Sequence, residues 1–393
     1  VTCALVDDWL SVRRHVINAT MYEGGVLPTN LMPNLVTQTN VTGLFQLVWN
    51  ISGPFFRMNA TGYHQLRTPG HRSDIAIIHH EGHGLGWPGH WDPNVPPCHE
   101  EGCSAEGCMG CTHFNSTDNT TYCGPACEWW GADTYFRDHV SDWGMDIFWL
   151  YMPLRGPNWQ DVYLADGTLV TPRPYGHDWF YQWQRKGDKT MRYFVGPAIS
   201  TVNYAFSLGY KEVWMTGNSG GGWSTTLTAA VDPRIRVSLK VADSLPWIFG
   251  AHTRGDYEQD LQRHDAEWLL SVANYTVLYL LAALEPGRYS MQMLHENDKC
   301  CFHAATRHAA ISGYNKQVWA DLGRLPAHGN FSTLVADESH HWFDPDEYAM
   351  MDWLRSELLA GSEPRFDQAP CDILWHNASA VPCHPPSYRH STY

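Results

Sequence analysis

The sequence feature that most constrains the fold is a serine flanked by glycines, Gly217-Asn218-Ser219-Gly220-Gly221. An apolar run of strand-forming residues, 211–216, precedes it, and a run of small residues suited to a packed helix, 223–231, follows it. A sharp turn between strand and helix leaves no room for side chains at the flanking positions and presents the serine hydroxyl. The motif alone also occurs in idle tight turns, but in this setting it predicts that Ser219 is a nucleophile.

A serine nucleophile needs a histidine that takes its proton and a carboxylate that orients the histidine. Two later runs, residues 288–294 and 331–335, predict strands, and each ends just before suitable side chains. Ligands of open α/β sheets bind at the carboxyl ends of strands, and the chain order serine, acid, histidine suits a hydrolase with a strand–turn–helix nucleophile. The candidate acids are Glu296 and Asp298, and the candidate bases are His340 and His341.

These motifs resemble those of the α/β-hydrolase superfamily over roughly residues 40–360. The resemblance implies an α/β fold with a mostly parallel central sheet and helices on both faces. It places the nucleophile on Ser219 and the acid on Asp298, with Glu296 as the alternate, because the family sets its acid a few residues beyond the strand. It places the base on His340, the first of the pair, with His341 as the alternate.

The same resemblance implies an oxyanion hole with two backbone donors. One is the residue after the nucleophile, Gly220. The other belongs to a turn after the predicted strand 74–80, and we assign it to His83. Each such donor contributes about 10²–10³ in rate. The family often has His-Gly at this turn, whereas here Glu81 precedes Gly82, so the position of the second donor stays open by one or two residues.

Histidines cluster around this turn, at positions 79, 80, 83 and 90, beside Glu81. The zinc-protease pattern H-E-x-x-H would need a second histidine at position 84, which is Gly84. We therefore interpret the histidine cluster as polar residues that line the mouth of the site, rather than as the ligands of a metal. We expect neither a metal nor a cofactor.

Composition predicts the class of protein and excludes some partners. The chain has 393 residues, 44% hydrophobic and 17% charged, with a formal net charge of −15. That length and hydrophobicity predict a single domain over residues 1–393 with a large core. The negative charge and the lack of a basic patch argue against nucleic acid and anionic membranes as partners. No apolar run reaches transmembrane length, and a start at Val-Thr-Cys suggests a processed form.

Two features predict secretion and glycosylation. Eleven cysteines favour disulfides in an oxidising compartment, and their odd number leaves one for a free thiol or for an oligomer. Sequons for N-linked glycans exceed the number expected by chance. They lie at Asn18, Asn40, Asn50, Asn59, Asn115, Asn119, Asn274, Asn330 and Asn377.

Four segments are expected in addition to the core of the domain: an N-terminal arm 1–39, a Cys-rich cap insertion 91–131, a lid 244–275 and a disulfide-linked C-terminal tail 361–393. Zinc-knuckle spacing is the alternative for the cap, but two sequons inside it favour disulfides. The disulfide candidates are Cys98, Cys103, Cys108, Cys111, Cys123, Cys127, Cys371 and Cys383. Further patterns predict helices at 6–16, 190–208, 277–284 and 344–359 and strands at 43–50, 62–66, 146–151 and 235–241.

The residues are therefore typical of a secreted serine hydrolase that cleaves a carboxylic ester, either small or linked to a polymer, through an acyl-enzyme. Two alternatives remain at this point. One is a catalytically silent adhesion or structural glycoprotein on the same fold. The other is a secreted serine peptidase, for which the sequence shows no recognition pocket.

Overall fold

The computed structural model of the chain describes residues 2–67, 73–82, 113–115, 120–122, 140, 142–171, 178–246, 272–298, 308–336, 341, 343 and 345–364. The chain divides into two compact units. The first unit comprises residues 28–213, and the second comprises residues 1–27 together with residues 214–393. Helix α1 (Thr2–Thr20) opens the chain and belongs to the second unit.

The first unit contains a mixed sheet with strand order β1-β2-β3-β7-β4, and β8 pairs with both β3 and β9. Pairs β1/β2, β2/β3 and β3/β7 are antiparallel, and β4/β7 is parallel. Strands β5 and β6 form a separate antiparallel pair. The elements are β1 (Leu35–Gln38), β2 (Leu44–Ser52), β3 (Phe56–Gln65), β4 (Ile75–His80), β5 (His113–Asn115), β6 (Thr120–Tyr122), β7 (Asp146–Leu150), β8 (Val162–Leu164), β9 (Leu169–Val170), α2 (Asp178–Arg185) and α3 (Met191–Ser207).

Strand β3 is covered on one face only, because its residues alternate between buried and exposed or partly exposed positions along the strand. Such alternation is typical of an antiparallel strand with one solvated face. The neighbouring β2 is fixed to α3 through Trp49, whose indole N–H donates a hydrogen bond of 2.8 Å to Ser200 Oγ. The buried face of this part of the sheet therefore lies toward α3.

The second unit contains strands in the order β10-β11-β12-β13, with β11/β12 and β12/β13 parallel. Helices separate successive strands, as parallel connections require. The elements are β10 (Glu212–Asn218), α4 (Gly220–Val231), β11 (Ile235–Val241), α5 (Tyr275–Ala282), β12 (Tyr289–His295), α6 (His308–Leu322), β13 (Asn330–Ala336) and α7 (Pro345–Leu359).

Two arginines satisfy the carboxyl ends of helices in this unit. Arg13 of α1 donates to the Ala230 carbonyl at 2.9 Å and to the Leu281 carbonyl at 2.8 Å. Arg288 donates to the Ala229 and Leu281 carbonyls. The last carbonyls of a helix have no partner within the helix, so these contacts stabilise the ends of α4 and α5 and hold α1 against them.

The α/β class is confirmed, and the sheet is mixed. Parallel pairing holds for β4/β7 and for β11–β13, whereas the N-terminal strands are antiparallel because short hairpins, not helices, connect them. In the part of the chain that the structure describes, no helix is long and apolar enough to cross a membrane. The cap cysteines and those of the tail, and nearly all of the lid, lie outside the described residues. The organisation as a single domain with four additional segments stays a prediction.

Candidate active site

Ser219 forms the turn between β10 and α4, and its backbone is strained. Its φ is 54° and its ψ is −124°. A positive φ is uncommon for a residue with a side chain, and this ψ lies outside the small left-handed region as well. Strand β11 and helix α4 hold the conformation, because the Ser219 N–H donates to the Val241 carbonyl at 2.9 Å and the Ser219 carbonyl accepts from Trp223 N–H at 2.9 Å. Strain of this kind is concentrated at functional sites.

The glycines around Ser219 are required by close contacts. A Cβ on Gly217 would clash with the Gly221 carbonyl oxygen and would lie 2.6 Å from Thr225 Oγ1. A Cβ on Gly222 would lie 2.7 Å from the Cβ of Asp243. The first glycine of the motif thus lets β10 and α4 approach each other. Gly222, which the motif does not include, lets α4 approach the end of β11.

Asp298 and His341 are in direct contact. Asp298 Oδ2 lies 2.6 Å from His341 Nδ1, and the two residues are 0% and 3% exposed. Asp298 follows β12 by three residues, and His341 follows β13 by five. An ionised carboxylate only accepts, so His341 Nδ1 carries the proton of this bond, and Nε2 of the neutral ring is then its basic nitrogen. This is the orientation that a general base of a serine nucleophile requires.

The sequence offered two acids and two bases for these roles. Asp298, the preferred acid, is buried and makes the contact, whereas the alternate, Glu296, is partly exposed and its N–H donates to the Ala336 carbonyl at 2.7 Å. Of the histidines, the alternate, His341, makes the contact. His340 lies outside the described residues.

A buried polar cluster joins the nucleophile helix to the strand that precedes the acid. Asp243, 1% exposed, accepts hydrogen bonds from Thr226 Oγ1 of α4 at 2.6 Å, from Ser244 Oγ at 2.6 Å and from Gln292 Nε2 of β12 at 2.8 Å. Gln292 Oε1 in turn accepts from Tyr314 Oη of α6. Sequence reasoning missed this cluster, although Asp243 stands just beyond β11, at the carboxyl edge where site residues concentrate.

Lys240 of β11 lies beside this cluster and is fully buried. Its Nζ donates to Ser290 Oγ at 2.7 Å and lies over the rings of Tyr279 and Phe331. Burial lowers the pKa of Lys240 to about 8, and the nearby carboxylate of Asp243 partly opposes that shift. The lysine and Asp243 are therefore two buried charges of opposite sign within the second unit.

Only part of the predicted oxyanion hole is described. Gly220 is the first residue of α4, and the first N–H groups of a helix have no partner within it, so the Gly220 N–H is suited to bind an oxyanion. The other predicted donor, His83, lies outside the described residues. The turn that leads to it begins at Glu81, whose N–H donates to the Leu150 carbonyl at 2.8 Å.

Two histidines precede that turn in the first unit. His79 Nε2 lies 3.3 Å from Glu81 Oε1, and His80 Nδ1 is hydrogen-bonded to the Glu81 carbonyl at 2.9 Å. Burial lowers the pKa of His80 to about 4; the nearby His79 adds to this shift, and the bond to the Glu81 carbonyl opposes it. His80 is therefore neutral at pH 7. Among the described residues, no group of three or more His, Cys, Asp or Glu side chains is arranged to hold a metal ion.

Comparison with known proteins identifies the fold. No protein-family model matches the sequence, and no curated protein matches it. A glucuronoyl esterase from Teredinibacter turnerae has a similar structure, with a TM-score of 0.51 at 11% identity over 91% of this chain and 86% of that one. A candidate acetyl xylan esterase from Bacteroides fragilis gives a TM-score of 0.50 at 13% identity over 91% and 89%. The chain therefore shares its fold with these two solved proteins.

Proposed function

We propose that the protein is a serine hydrolase that cleaves a carboxylic ester, with Ser219 as nucleophile, His341 as general base and Asp298 as the acid that orients it. The observation that carries the proposal is the 2.6 Å contact between Asp298 and His341 in the unit that also holds the strained Ser219. The contact favours His341 over the sequence preference, His340. Strand order supports the same roles, because the acid and the base follow successive parallel strands.

The reaction proceeds in two halves. Ser219 Oγ attacks the acyl carbon while His341 Nε2 takes its proton, and the Gly220 N–H binds the oxyanion. The ester C–O bond then breaks, and the alcohol leaves with the proton from His341. In the second half, water attacks the acyl-enzyme and gives its proton to His341, the bond from Ser219 Oγ to the acyl carbon breaks, and the hydroxyl is restored as the carboxylic acid leaves.

The substrate that we propose is an ester of a saccharide. Both neighbours reported above are named for carbohydrate esters, and an ester linked to a polymer is one of the two kinds of substrate expected from the sequence. The sugar supplies either the alcohol or the acid of such an ester. Acetylated xylan tests the first case, and a methyl ester of a glucuronic acid tests the second. Hydrolysis of p-nitrophenyl acetate measures the chemistry without either sugar.

We also propose that the protein is a secreted glycoprotein. Of the sequon asparagines whose exposure is described, Asn330 is partly exposed and the rest are exposed: Asn18, Asn40, Asn50, Asn59 and Asn274. Asn274 caps α5 by accepting from Val277 N–H at 3.0 Å through its carbonyl oxygen, which leaves the amide nitrogen for a glycan. Treatment with an N-glycosidase should lower the mass of protein secreted by eukaryotic cells, and an unchanged mass would contradict the proposal.

The decisive experiment is active-site labelling with a fluorophosphonate, mapped by mass spectrometry. We expect the label on Ser219, no label on S219A, and loss of p-nitrophenyl acetate hydrolysis in S219A with an unchanged melting temperature. A folded wild-type protein that neither reacts nor hydrolyses esters would favour the silent glycoprotein instead. Labelling at another serine would refute the assignment of the nucleophile.

A further inference from the structure

Asn218, the residue before the nucleophile, carries a buried amide that the fold does not use. The residue is 9% exposed, and among the described residues its Oδ1 has no hydrogen-bond partner. Nearly all buried side-chain polar atoms in proteins have a partner, and leaving one unpaired costs about 1–3 kcal/mol. Because this amide lies beside the nucleophile, a bound ligand is the natural partner for its oxygen.

The polar side chains of the adjacent helix α4 behave differently. Thr225 Oγ1 donates to the Gly221 carbonyl at 2.9 Å, Thr228 Oγ1 donates to the Ser224 carbonyl at 2.6 Å, and Thr226 Oγ1 donates to Asp243. Each of these hydroxyls is satisfied inside the fold. The amide oxygen of Asn218 therefore differs from the threonine hydroxyls of the adjacent helix α4.

The direction of the Asn218 side chain follows from its neighbour in β10. The Cα of Gly217 faces α4, because a Cβ there would lie against Gly221 and Thr225. Successive residues of a strand point to opposite faces, so the amide of Asn218 lies on the face away from the nucleophile helix. Its Cα is about 3.8 Å from that of Ser219. The amide is therefore adjacent to the nucleophile along the chain, and its reach to the reacting hydroxyl is part of what we propose below.

The donor and acceptor atoms of a primary amide determine which chemical groups it can bind. A primary amide offers one acceptor oxygen and a two-proton donor, and rotation by 180° exchanges them. A hydroxyl group suits either orientation because it both donates and accepts. We propose that Asn218 is a contact residue of the ester site, whose amide binds an O–H group next to Ser219. This inference rests on the proposed function, in which such a group comes from the hydrolytic water or from a hydroxyl of the saccharide.

The test measures acylation and deacylation separately in N218L, which keeps the approximate shape and removes the amide. The matched control is T228V, which removes a buried hydroxyl that the fold already satisfies. With p-nitrophenyl acetate, loss of a water contact should slow deacylation by about tenfold, equivalent to one ordinary hydrogen bond, and should produce a burst of p-nitrophenol. Loss of a saccharide contact should instead slow acylation by acetylated xylan and leave both rates with p-nitrophenyl acetate unchanged. T228V should stay within about twofold of the wild type in every rate.

Stability separates a ligand contact from a structural role. Because an unpaired buried amide is replaced by an apolar group, N218L should have a melting temperature equal to or above that of the wild type. Unchanged acylation and deacylation on both substrates would overturn the inference. A lower melting temperature together with fewer fluorophosphonate-reactive sites would also overturn it, because the amide would then serve the fold.

A second variant keeps the inference testable if N218L does not fold. N218D retains an acceptor and adds a negative charge beside the nucleophile, and if the side chain faces the reacting groups this charge should raise the pKa on the acidic limb of kcat/KM. An unchanged pH profile would show that the side chain does not face the reacting groups. Failure of this inference is distinct from failure of the proposed function, because an inactive S219A together with wild-type kinetics in N218L would refute only the role of Asn218.

Discussion

The first half of strand β3, residues 56–60, and strand β12 place polar residues in opposite environments. Along β3, the polar residues Arg57 and Asn59 occupy exposed positions between buried apolar ones. All seven residues of β12 are buried, including Ser290 and Gln292 at 0% exposure. The first strand pairs antiparallel with its neighbours β2 and β7, and the second has parallel neighbours on both sides.

The difference shows which polar side chains of this fold depend on protein partners and which depend on water. Water satisfies the outward side chains of β3, so their replacement changes little. The polar groups of β12 have lost water and need protein partners, and Gln292 accordingly binds Asp243, Tyr279 and Tyr314. Buried polar groups with fixed partners are preorganised, which catalysis requires. Substitutions of polar residues should therefore cost more stability at β12 than at β3.

The largest effect should come from the base. H341A removes the proposed general base, and we expect kcat for p-nitrophenyl acetate to fall by about 10⁴. H340A is the matched control, one residue away, and should lose far less. The reverse ranking would move the base to His340 and would show that the contact of His341 with Asp298 serves the fold alone.

A smaller effect is expected where Asp243 joins α4 to β12. D243N places an amide N–H₂ against at least one of the three donors that now point at the carboxylate, so the free energy of unfolding should fall by about 2–3 kcal/mol. R57Q removes a charge from the exposed side of β3, where the guanidinium lies 5.2 Å from the centre of the Tyr163 ring, and should cost about 0.5–1 kcal/mol. Urea unfolding measures both. Equal losses would show that the two strands do not differ as their burial indicates.

The buried lysine predicts a pH effect of known sign. Burial lowers the pKa of Lys240 from 10.5 to about 8 in the folded protein. Between these two values the unfolded chain binds more protons than the folded chain, so the contribution of Lys240 to stability rises with pH and is constant below the folded pKa. The free energy of unfolding of the wild type, relative to K240M, should therefore increase by about 1 kcal/mol per pH unit above pH 8. A flat difference from pH 7 to 9.5 would contradict the lowered pKa.

Much of the fold could be predicted from the sequence, because apolar periodicity marks most of the elements. The run 235–241 is β11 as predicted, and the predicted helices 190–208 and 344–359 differ from α3 and α7 by about a residue at each end. Helix α6 was missed, since Gly313 and polar residues interrupt its apolar pattern. Strand β3 begins at Phe56, six residues before its predicted start, although residues 56–60 already alternate between apolar and polar.

The site was predictable to the level of segments. Ser219 and Asp298 lie where the motif and the strand ends placed them. The choice between His340 and His341 depends on the backbone of a loop, which directs adjacent side chains differently, and periodicity carries no information about that. Asp243 and Asn218 were missed because their roles depend on which buried groups meet across strands and helices. The predicted disulfides and His83 involve residues outside the described part of the chain.

The smallest effect should come from the surface counterpart of the buried lysine. Lys211 Nζ lies 2.8 Å from Asp74 Oδ2, but the two side chains are 73% and 69% exposed. Solvent and salt screen such a pair, and ordering two long side chains offsets its attraction, so K211A should change the free energy of unfolding by less than about 0.5 kcal/mol. Urea unfolding at low and high salt provides the measurement, and the small difference should shrink further as salt is added. A loss above about 1 kcal/mol that persists at high salt would show that solvent exposure does not determine how much Lys211 and Lys240 contribute to stability. The contrast between β3 and β12, which also rests on exposure, would then lose its physical basis.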